Sequence, residues 1–167
     1  MHDIYISGTG IWTPPHKISN DELVKSFNEY VRLFNDEHAD QINAGAIKAL
    51  EPSSSEFIVK ASGIQNRYVV EKDSLLDPKL MKPQVKARSD DALSLCAEVS
   101  VMAANEALEN AGLNAKDIDA VIVSTANLQR AYPAIAIEVQ NELGIEGYAY
   151  DMMVGCSSTT FGISNAY

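Results

Sequence analysis

An alternation of strand and helix patterns near the end of the chain restricts its fold more than any other sequence feature. Ala120 to Ser124 is a compact apolar run rich in β-branched residues, which is typical of a buried parallel strand. A helical pattern extends from Ile135 to Leu143 and ends at Gly144, and Tyr148 to Met152 returns to a strand pattern. This alternation predicts an α/β layered domain with a largely parallel sheet.

The N-terminal residues predict a further short buried strand, over Ile4 to Ile6, that ends in a glycine turn at Gly8 and Gly10. A dinucleotide-binding loop would need a third glycine three residues after Gly10, at the start of a helix. Thr13 stands there and is followed by two prolines, which do not continue a helical turn. Dinucleotide binding is therefore excluded at this turn.

A capping box predicts where the first helix begins. Ser19 and Glu22 have the S-x-x-E spacing, and apolar residues recur after them at helical intervals. The chain then becomes polar at about 35–55, which we interpret as an insertion near the surface with a short helix around Ala44 to Leu50. The apolar, β-branched end of the segment Asn66 to Val70 predicts a second strand.

A long alanine-rich helix is predicted to run from a cap at Ser89 or Asp90 to Ala111, with Gly112 in the left-handed position that ends it. The alanines permit close contacts with neighbouring elements, so we expect this helix to be buried. Cys96 lies beside its apolar face, where a cysteine is usually a small and inert hydrophobe.

The charge balance excludes several classes of partner. The chain has 167 residues with 13 Lys and Arg against 23 Asp and Glu, and hence a net charge of −10. Such a chain repels phosphates, so we expect no nucleic-acid partner. No apolar run is long enough for a membrane span and the first residues do not form a signal sequence, which predicts a cytoplasmic protein.

One stretch departs from this acidic character. It contains Lys79, Lys82, Lys86 and Arg88 and has no acidic residue between Pro78 and Arg88. Two interpretations remain open: a docking surface for an acidic carrier, or an ordinary solvated loop.

Cys156 is the one place where the residues point to chemistry. It follows the strand Tyr148 to Met152 and Gly155, and the residues up to Ile163 have the pattern of a helix start. At such a turn the unpaired N–H groups and the dipole of the helix favour a thiolate, which is a nucleophile that forms thioesters. Cys156 is therefore a candidate nucleophile, and a buried structural cysteine is the alternative. Two cysteines are too few for a disulfide framework or a structural zinc site, so no metal is predicted.

Most of the chain resembles the N-terminal half of the β-ketoacyl-acyl-carrier-protein synthase III family, because several motifs occur in the same order. These motifs are Ile4-Tyr5-Ile6-Ser7-Gly8-Thr9-Gly10, Pro14, Asn20, Gly63-Ile64 with Arg67, Ala107 to Val123, Tyr132-Pro133, Leu143-Gly144-Ile145, and Cys156 with Phe161-Gly162.

The resemblance implies a thiolase-like fold, in which two similar α/β halves form an αβαβα body, and a homodimer. Residues 1–167 would form the N-terminal half-domain, and the C-terminal half would lie outside this chain. The implied reaction is a decarboxylating Claisen condensation in fatty-acid biosynthesis. Acyl-coenzyme A acylates Cys156, and malonyl-acyl-carrier protein then loses carbon dioxide and attacks the thioester. Coenzyme A is part of a substrate here, and no cofactor is expected.

In this family a histidine and an asparagine of the C-terminal half assist decarboxylation. His2, His16 and His38 match no catalytic motif of the family, and none of them is assigned a role. The resemblance therefore implies that this chain is inactive without the other half.

Two aromatic residues are candidates for substrate binding. Phe57 stands where many members have a tryptophan that stacks on the coenzyme A base, and Ala61 stands at a nearby arginine position. Stacking can persist on Phe57 while a charged contact is lost, which leaves the identity of the primer open. Tyr132 matches an aromatic residue that reaches toward the acyl tunnel of the partner subunit. It either limits the acyl-chain length or is a plain interface aromatic.

Two alternatives to this function remain on the sequence alone. One is another thiolase-fold acyltransferase, such as a polyketide or long-chain condensing enzyme. The other is a non-catalytic module that dimerises or binds acyl-carrier protein.

Overall fold

A computed structural model describes residues 4–167, which form two compact units. The segment up to Trp12 and the segment Arg88–Tyr167 make one of them, which we call the parallel-sheet unit. Thr13–Ala87 makes the other, which we call the helical unit.

The helical unit contains four helices and a two-stranded antiparallel sheet. Its elements are β1 (His16–Ser19), α1 (Asn20–Glu37), α2 (Ala39–Asn43), α3 (Ser55–Ser62), β2 (Asn66–Val69) and α4 (Asp73–Leu76). The two strands pair so that Ile18 lies opposite Arg67 and Ser19 lies opposite Asn66. The predicted strand over Asn66 to Val70 is confirmed as β2, whereas β1 was not predicted.

The capping box at the start of α1 is confirmed. The Glu22 N–H donates to the Ser19 hydroxyl at 3.2 Å, and the Glu22 carboxylate accepts the Ser19 N–H at 3.0 Å. The helix predicted around Ala44 to Leu50 is wrong, because α2 ends at Asn43 and no helix follows it before α3. Leu50 instead pairs its N–H and C=O with the Asn35 side-chain amide, at 2.9 and 3.0 Å. These bonds hold the segment to α1 in a non-helical conformation.

The parallel-sheet unit contains the predicted strand and helix alternation. Its main elements are α5 (Leu95–Ala111), β3 (Ala120–Ser124), α6 (Ile135–Leu143), β4 (Tyr148–Met152) and α7 (Ser158–Ala166). The β3 and β4 strands pair in parallel, with Val123 opposite Asp151 and Ser124 opposite Met152. The prediction of a parallel sheet is confirmed for this pair, and the pair β1 and β2 is antiparallel instead.

The start of α5 differs from the prediction. The helix is capped by Ser94, whose hydroxyl accepts the Ala97 N–H at 3.1 Å, and not by Ser89 or Asp90. The Ser94 N–H in turn donates to the Glu138 carboxylate of α6 at 2.7 Å. The cap is therefore a serine that the sequence analysis did not name, and it also contacts a helix distant in sequence.

Within this chain only Ala97 of α5 is fully buried, and burial of the rest of the helix stays a prediction for the longer protein. Met102 on the same helix is 48% exposed. The left-handed end at Gly112 is confirmed by a φ angle of 68°.

The N-terminal segment does not form the expected buried strand. Ile4 to Ile6 have no strand structure, and these three side chains are 53–81% exposed. Gly8 and Gly10 do not make a turn but lie against α5, where a Cβ atom on Gly10 would be 2.0 Å from the Ala103 carbonyl oxygen. The glycines and alanines therefore allow the backbone of this segment to pack directly on the backbone of α5.

The core of the parallel-sheet unit lies between α5, α6 and the sheet. Its fully buried members are Ala97, Ile135 and Val139. The partly buried side chains packed on them are Leu93, Cys96, Val101, Val121, Val123, Leu128 and Leu143. Among residues 4–167, no helix is both long and apolar enough to cross a membrane.

Candidate active site

Cys156 lies in a single 3₁₀ turn, Gly155–Ser157, that joins the end of β4 to the start of α7. Gly155 has a φ angle of 61°, which a residue with a Cβ atom adopts only with strain. The Ser157 N–H donates to the Val154 carbonyl at 3.3 Å and closes the turn. The Cys156 side chain is a free thiol and is solvent-exposed. The structure therefore presents this thiol at the carboxyl end of a parallel strand, next to a helix start.

The helix after the turn packs closely on β3. A Cβ atom on Gly162 would lie 2.1 Å from the Ser124 hydroxyl oxygen, so a larger residue there would require this hydroxyl to move. A groove beside α7 is lined by Ser124, Thr159 and Gly162, and Cys156 is not part of its lining. This groove therefore does not form an acyl tunnel that leads to Cys156.

The loop with Tyr132 leads into α6, and Asp151 holds the start of that helix. The Asp151 carboxylate accepts the Ile135 N–H at 2.9 Å and the Ala136 N–H at 2.8 Å. The Tyr132 side chain, three residues before Ile135, is 90% exposed. Asp151 was not singled out from the sequence, although a lone acidic residue within the strand pattern Tyr148 to Met152 was an available signal.

Arg130, in the same loop as Tyr132, anchors it to α6 and to the segment before α5. Its guanidinium donates to the Ala92 carbonyl at 3.0 Å and forms an ion pair with Glu138, with Nε and Oε1 2.9 Å apart. Glu138 is only 7% exposed, and its other carboxylate oxygen accepts the Ser94 N–H. A buried carboxylate normally needs a charged or hydrogen-bonding partner, and Glu138 has both. This cluster was also missed by sequence reasoning, because its members are far apart in the chain.

Phe57 belongs to the helical unit, whereas Cys156 and Tyr132 belong to the parallel-sheet unit. It lies in the first turn of α3, where its N–H donates to the capping Ser54 hydroxyl at 3.1 Å. Phe57 is 65% exposed. Ala61 lies one turn further along the same helix and is exposed as well. Both positions are therefore open to a ligand.

The two histidines that the structure describes, His16 and His38, lie in different parts of the helical unit. His16 is an exposed residue of β1. His38 follows α1, where its ring stacks on Phe34 with the centroids 4.3 Å apart and its Nδ1 atom lies 2.9 Å from the Phe34 carbonyl. His2 lies outside the described residues. In the part of the chain that the structure describes, no three His, Cys, Asp or Glu side chains are grouped as metal ligands.

The clearest perturbed acids lie in the helical unit. The ammonium group of Lys72 hydrogen-bonds the Glu22 carboxylate, and together with the Ser19 N–H and hydroxyl it lowers the pKa of Glu22 to about 2. The Ser74 hydroxyl and N–H, with smaller contributions from other N–H groups, lower the pKa of Glu71 to about 2. Glu22 lies in the first turn of α1 and Glu71 bonds the first turn of α4, and neither lies in the unit that contains Cys156.

The basic stretch is divided between the two units. Lys79, Lys82 and Lys86 are exposed in the helical unit, and Arg88 of the parallel-sheet unit forms an ion pair with Glu98. Docking of an acidic carrier on this stretch stays a prediction.

A comparison with solved structures identifies the fold. The crystal structure of 3-oxoacyl-[acyl-carrier-protein] synthase III from Aquifex aeolicus superposes on 96% of this chain and 38% of its own, with a TM-score of 0.64 and 22% identity. No protein-family profile matches the chain. The mixed α/β architecture therefore corresponds to part of a thiolase-like fold, as the sequence predicted.

Curated relatives indicate the family. The chain is 57% identical over 143 residues to the beta-ketodecanoyl-[acyl-carrier-protein] synthase of Pseudomonas aeruginosa. The aligned region covers 86% of this chain and 41% of that protein. It is 28% identical over 160 residues to the beta-ketoacyl-[acyl-carrier-protein] synthase III of Granulibacter bethesdensis, covering 95% of this chain and 36% of that protein. Over most of its length the chain is therefore similar to β-ketoacyl-acyl-carrier-protein synthases, and it spans about two fifths of the length of these relatives.

Proposed function

We propose that the protein to which this chain belongs catalyses the decarboxylating Claisen condensation of an acyl thioester with malonyl-acyl-carrier protein in fatty-acid biosynthesis. The observation that carries the proposal is the position of Cys156, an exposed thiol between the end of a parallel strand and the start of α7. The family relationship supports the same reaction in preference to a polyketide or long-chain condensing enzyme.

The reaction proceeds in two steps at one sulfur atom. The Cys156 thiolate attacks the carbonyl carbon of acyl-coenzyme A, a new S–C bond forms, and coenzyme A leaves as a thiolate that takes up a proton. Malonyl-acyl-carrier protein then loses carbon dioxide, and the electron pair of the broken C–C bond attacks the acyl-Cys156 carbonyl. A new C–C bond forms and the Cys156 thiolate is released. Sulfur suits both roles because it is a good nucleophile and a good leaving group.

Both steps develop negative charge on a carbonyl oxygen, which needs hydrogen-bond donors. Cys156 is the second residue of its 3₁₀ turn, and the first N–H groups of a helix have no acceptor within it. The Cys156 N–H is therefore a suitable donor to the oxyanion. The histidine and asparagine that the family uses for decarboxylation are expected outside this chain, so residues 1–167 alone are expected to be inactive.

The primer is proposed to be a medium-chain acyl-coenzyme A. The Pseudomonas aeruginosa relative is named for a β-ketodecanoyl product, and because malonyl supplies one two-carbon unit, that product requires an octanoyl primer. Phe57 is proposed to stack on the coenzyme A base, since its ring is exposed on α3. Ala61 offers no positive charge to the nucleotide of coenzyme A. In this respect the proposed site differs from that of the many family members with arginine at this position.

We also propose a cytoplasmic homodimer. The exposure of Tyr132 at the end of its loop suits a residue that reaches a partner subunit and limits the length of its acyl tunnel. Coenzyme A is a substrate in this scheme, and no further cofactor is invoked.

The experiment is an acylation assay with the full-length protein that contains this chain. Incubation with octanoyl-coenzyme A should add one octanoyl mass to the peptide that carries Cys156 and none to the peptide that carries Cys96. Alkylation rates alone are insufficient, because Cys156 is exposed and Cys96 is partly buried, so the two thiols would differ in reactivity without any catalysis.

Two variants complete the assay. Cys156→Ala should abolish both the adduct and condensation with malonyl-acyl-carrier protein, and Cys96→Ala should retain both. A wild-type protein that shows no adduct on Cys156, with intact folding and carrier binding, would identify a non-catalytic carrier-binding module instead.

A further inference from the structure

Ser158 is the first residue of α7 and lies two positions after Cys156. It is only 3% exposed. Its hydroxyl oxygen accepts the Val154 N–H at 2.9 Å, and it lies 2.9 Å from the carbonyl oxygens of Thr125 and of Gly155. A hydroxyl has one proton, so it donates to one of these two carbonyls at a time.

These hydrogen bonds surround the turn that contains Cys156. Val154 and Gly155 precede the cysteine, Ser158 follows it, and Thr125 belongs to the neighbouring chain segment at the end of β3. The Thr125 N–H donates to the Met152 carbonyl at 3.1 Å and so extends the pairing of β3 and β4 by one residue. One buried hydroxyl therefore joins the ends of two strands to the start of the helix.

Ser158 is the buried hydroxyl residue among the four hydroxyl residues at the start of α7. Three other hydroxyl residues stand beside it, namely Ser157, Thr159 and Thr160, and all three are exposed. Gly162, four residues later on the same face of α7, makes the close approach to β3. Ser158 thus lies on the inward face of α7. Its hydroxyl bonds backbone N–H and C=O groups that would otherwise have no partner at this strand-to-helix turn.

We propose that Ser158 is a positioning residue for Cys156, an inference that rests on the proposed function. Its hydroxyl fixes the turn 153–157 so that the Cys156 sulfur and N–H keep the geometry that acyl transfer needs. Without it, the Val154 N–H and the Thr125 carbonyl lose this partner, and the turn is free to shift relative to β3. Misplacement of a reacting group by about 1 Å costs up to about 100-fold in rate.

The test compares Ser158→Ala with Ser157→Ala in the full-length enzyme. Ser157→Ala makes the same chemical change on the exposed side of the turn. Ser158→Ala should lower kcat for condensation by about 10-fold to 100-fold and leave KM for the acyl-coenzyme A within about twofold, whereas Ser157→Ala should retain both values. Ser158→Thr restores the hydroxyl and should recover kcat to within about threefold of the wild type.

The outcomes separate the positioning role from a structural one. If Ser158→Ala lowers the thermal midpoint but keeps the wild-type kcat, the proposal is overturned and Ser158 only stabilises the fold. If Ser158→Ala is insoluble, Ser158→Gly provides the same comparison, and a wild-type kcat in that variant overturns the proposal equally. A fully active Cys156→Ala enzyme would instead overturn the proposed function itself.

Discussion

The carboxylate of Asp151 in β4 accepts the backbone N–H of Ile135 at the start of α6, at 2.9 Å. Its second oxygen accepts the next N–H, that of Ala136, and both of these helix residues are completely buried. Asp151 lies five residues before Cys156, and Ile135 lies three residues after Tyr132. One side chain therefore ties the strand that leads to the candidate nucleophile to the loop of the candidate chain-length residue.

Substitution of Asp151 should destabilise the protein strongly. Asp151→Ala leaves two buried N–H groups without an acceptor, and each unsatisfied group costs about 1–3 kcal/mol. Asp151→Asn keeps one oxygen acceptor and should cost less than Asp151→Ala. Urea unfolding of the full-length protein measures the difference, with Glu142→Ala on the exposed side of α6 as the control. Equal stability of Asp151→Ala and the control would show that the capping contacts are not significant.

The sequence predicted the elements whose signals are local. The helix α6 and the strands β3 and β4 have the bounds that apolar periodicity indicated, since each combines a clear pattern with a turn residue at its end. The capping box at Ser19 is equally local and was also found.

The missed features depend on residues distant in the chain. The strand β1 is four residues long and exists because it pairs with β2, about fifty positions later. Ile4 to Ile6 have a strand composition, but Gly8 and Gly10 direct this segment onto α5 instead. In the candidate site, Cys156 could be identified from the turn around it. The lone acidic residue in the pattern of β4 was a signal for Asp151, but its role and that of Ser158 depend on hydrogen bonds across the fold.

Gly162 should be sensitive even to alanine. A Cβ atom there would lie 2.1 Å from the Ser124 hydroxyl oxygen but 3.3 Å from the Ser124 Cβ atom. Gly162→Ala should therefore cost about 1–3 kcal/mol by crowding α7 against β3, and kcat should fall because α7 carries the turn of Cys156. Ser124→Ala removes the clashing oxygen, so the double variant should recover most of the stability.

A double-mutant cycle by urea unfolding measures this recovery. Gly155→Ala serves as a comparison, because its cost comes from a φ angle of 61° in open space and Ser124→Ala should not relieve it. Additive effects of Gly162→Ala and Ser124→Ala would contradict the crowding argument.

Phe57 should affect the binding of coenzyme A donors and not the chemical step. Stacking of an aromatic side chain on a flat ring contributes about 0.5–1.5 kcal/mol, so Phe57→Ala should raise KM for octanoyl-coenzyme A up to about tenfold while kcat is retained. Octanoyl-pantetheine has no base, so its KM should be the same for Phe57→Ala and the wild type. Phe57→Trp is the conservative control and should keep the wild-type KM for octanoyl-coenzyme A. An equal rise of KM for both donors would show that Phe57 contacts the acyl or pantetheine portion instead.

Glu22 should make the helical unit sensitive to acid. Its pKa is lowered from 4.5 to about 2, first by the hydrogen bond from Lys72 and then by those from Ser19. A group whose pKa is depressed by folding stabilises the folded state above its unfolded pKa, and this contribution is lost as the pH falls through the folded pKa. Glu22→Gln keeps an oxygen acceptor for the Ser19 N–H but removes the charge. The stability difference between wild type and Glu22→Gln should therefore be constant above about pH 5 and shrink between about pH 4.5 and pH 2.

Thermal unfolding of both proteins across this range gives the measurement. Lys72→Met removes the largest cause of the lowered pKa, so with Lys72→Met in the background the contribution of Glu22 should be smaller and should vanish at a higher pH. A difference between wild type and Glu22→Gln that stays constant down to about pH 2 would contradict the assignment, because a carboxylate that takes up a proton in this range cannot keep its ion pair with Lys72.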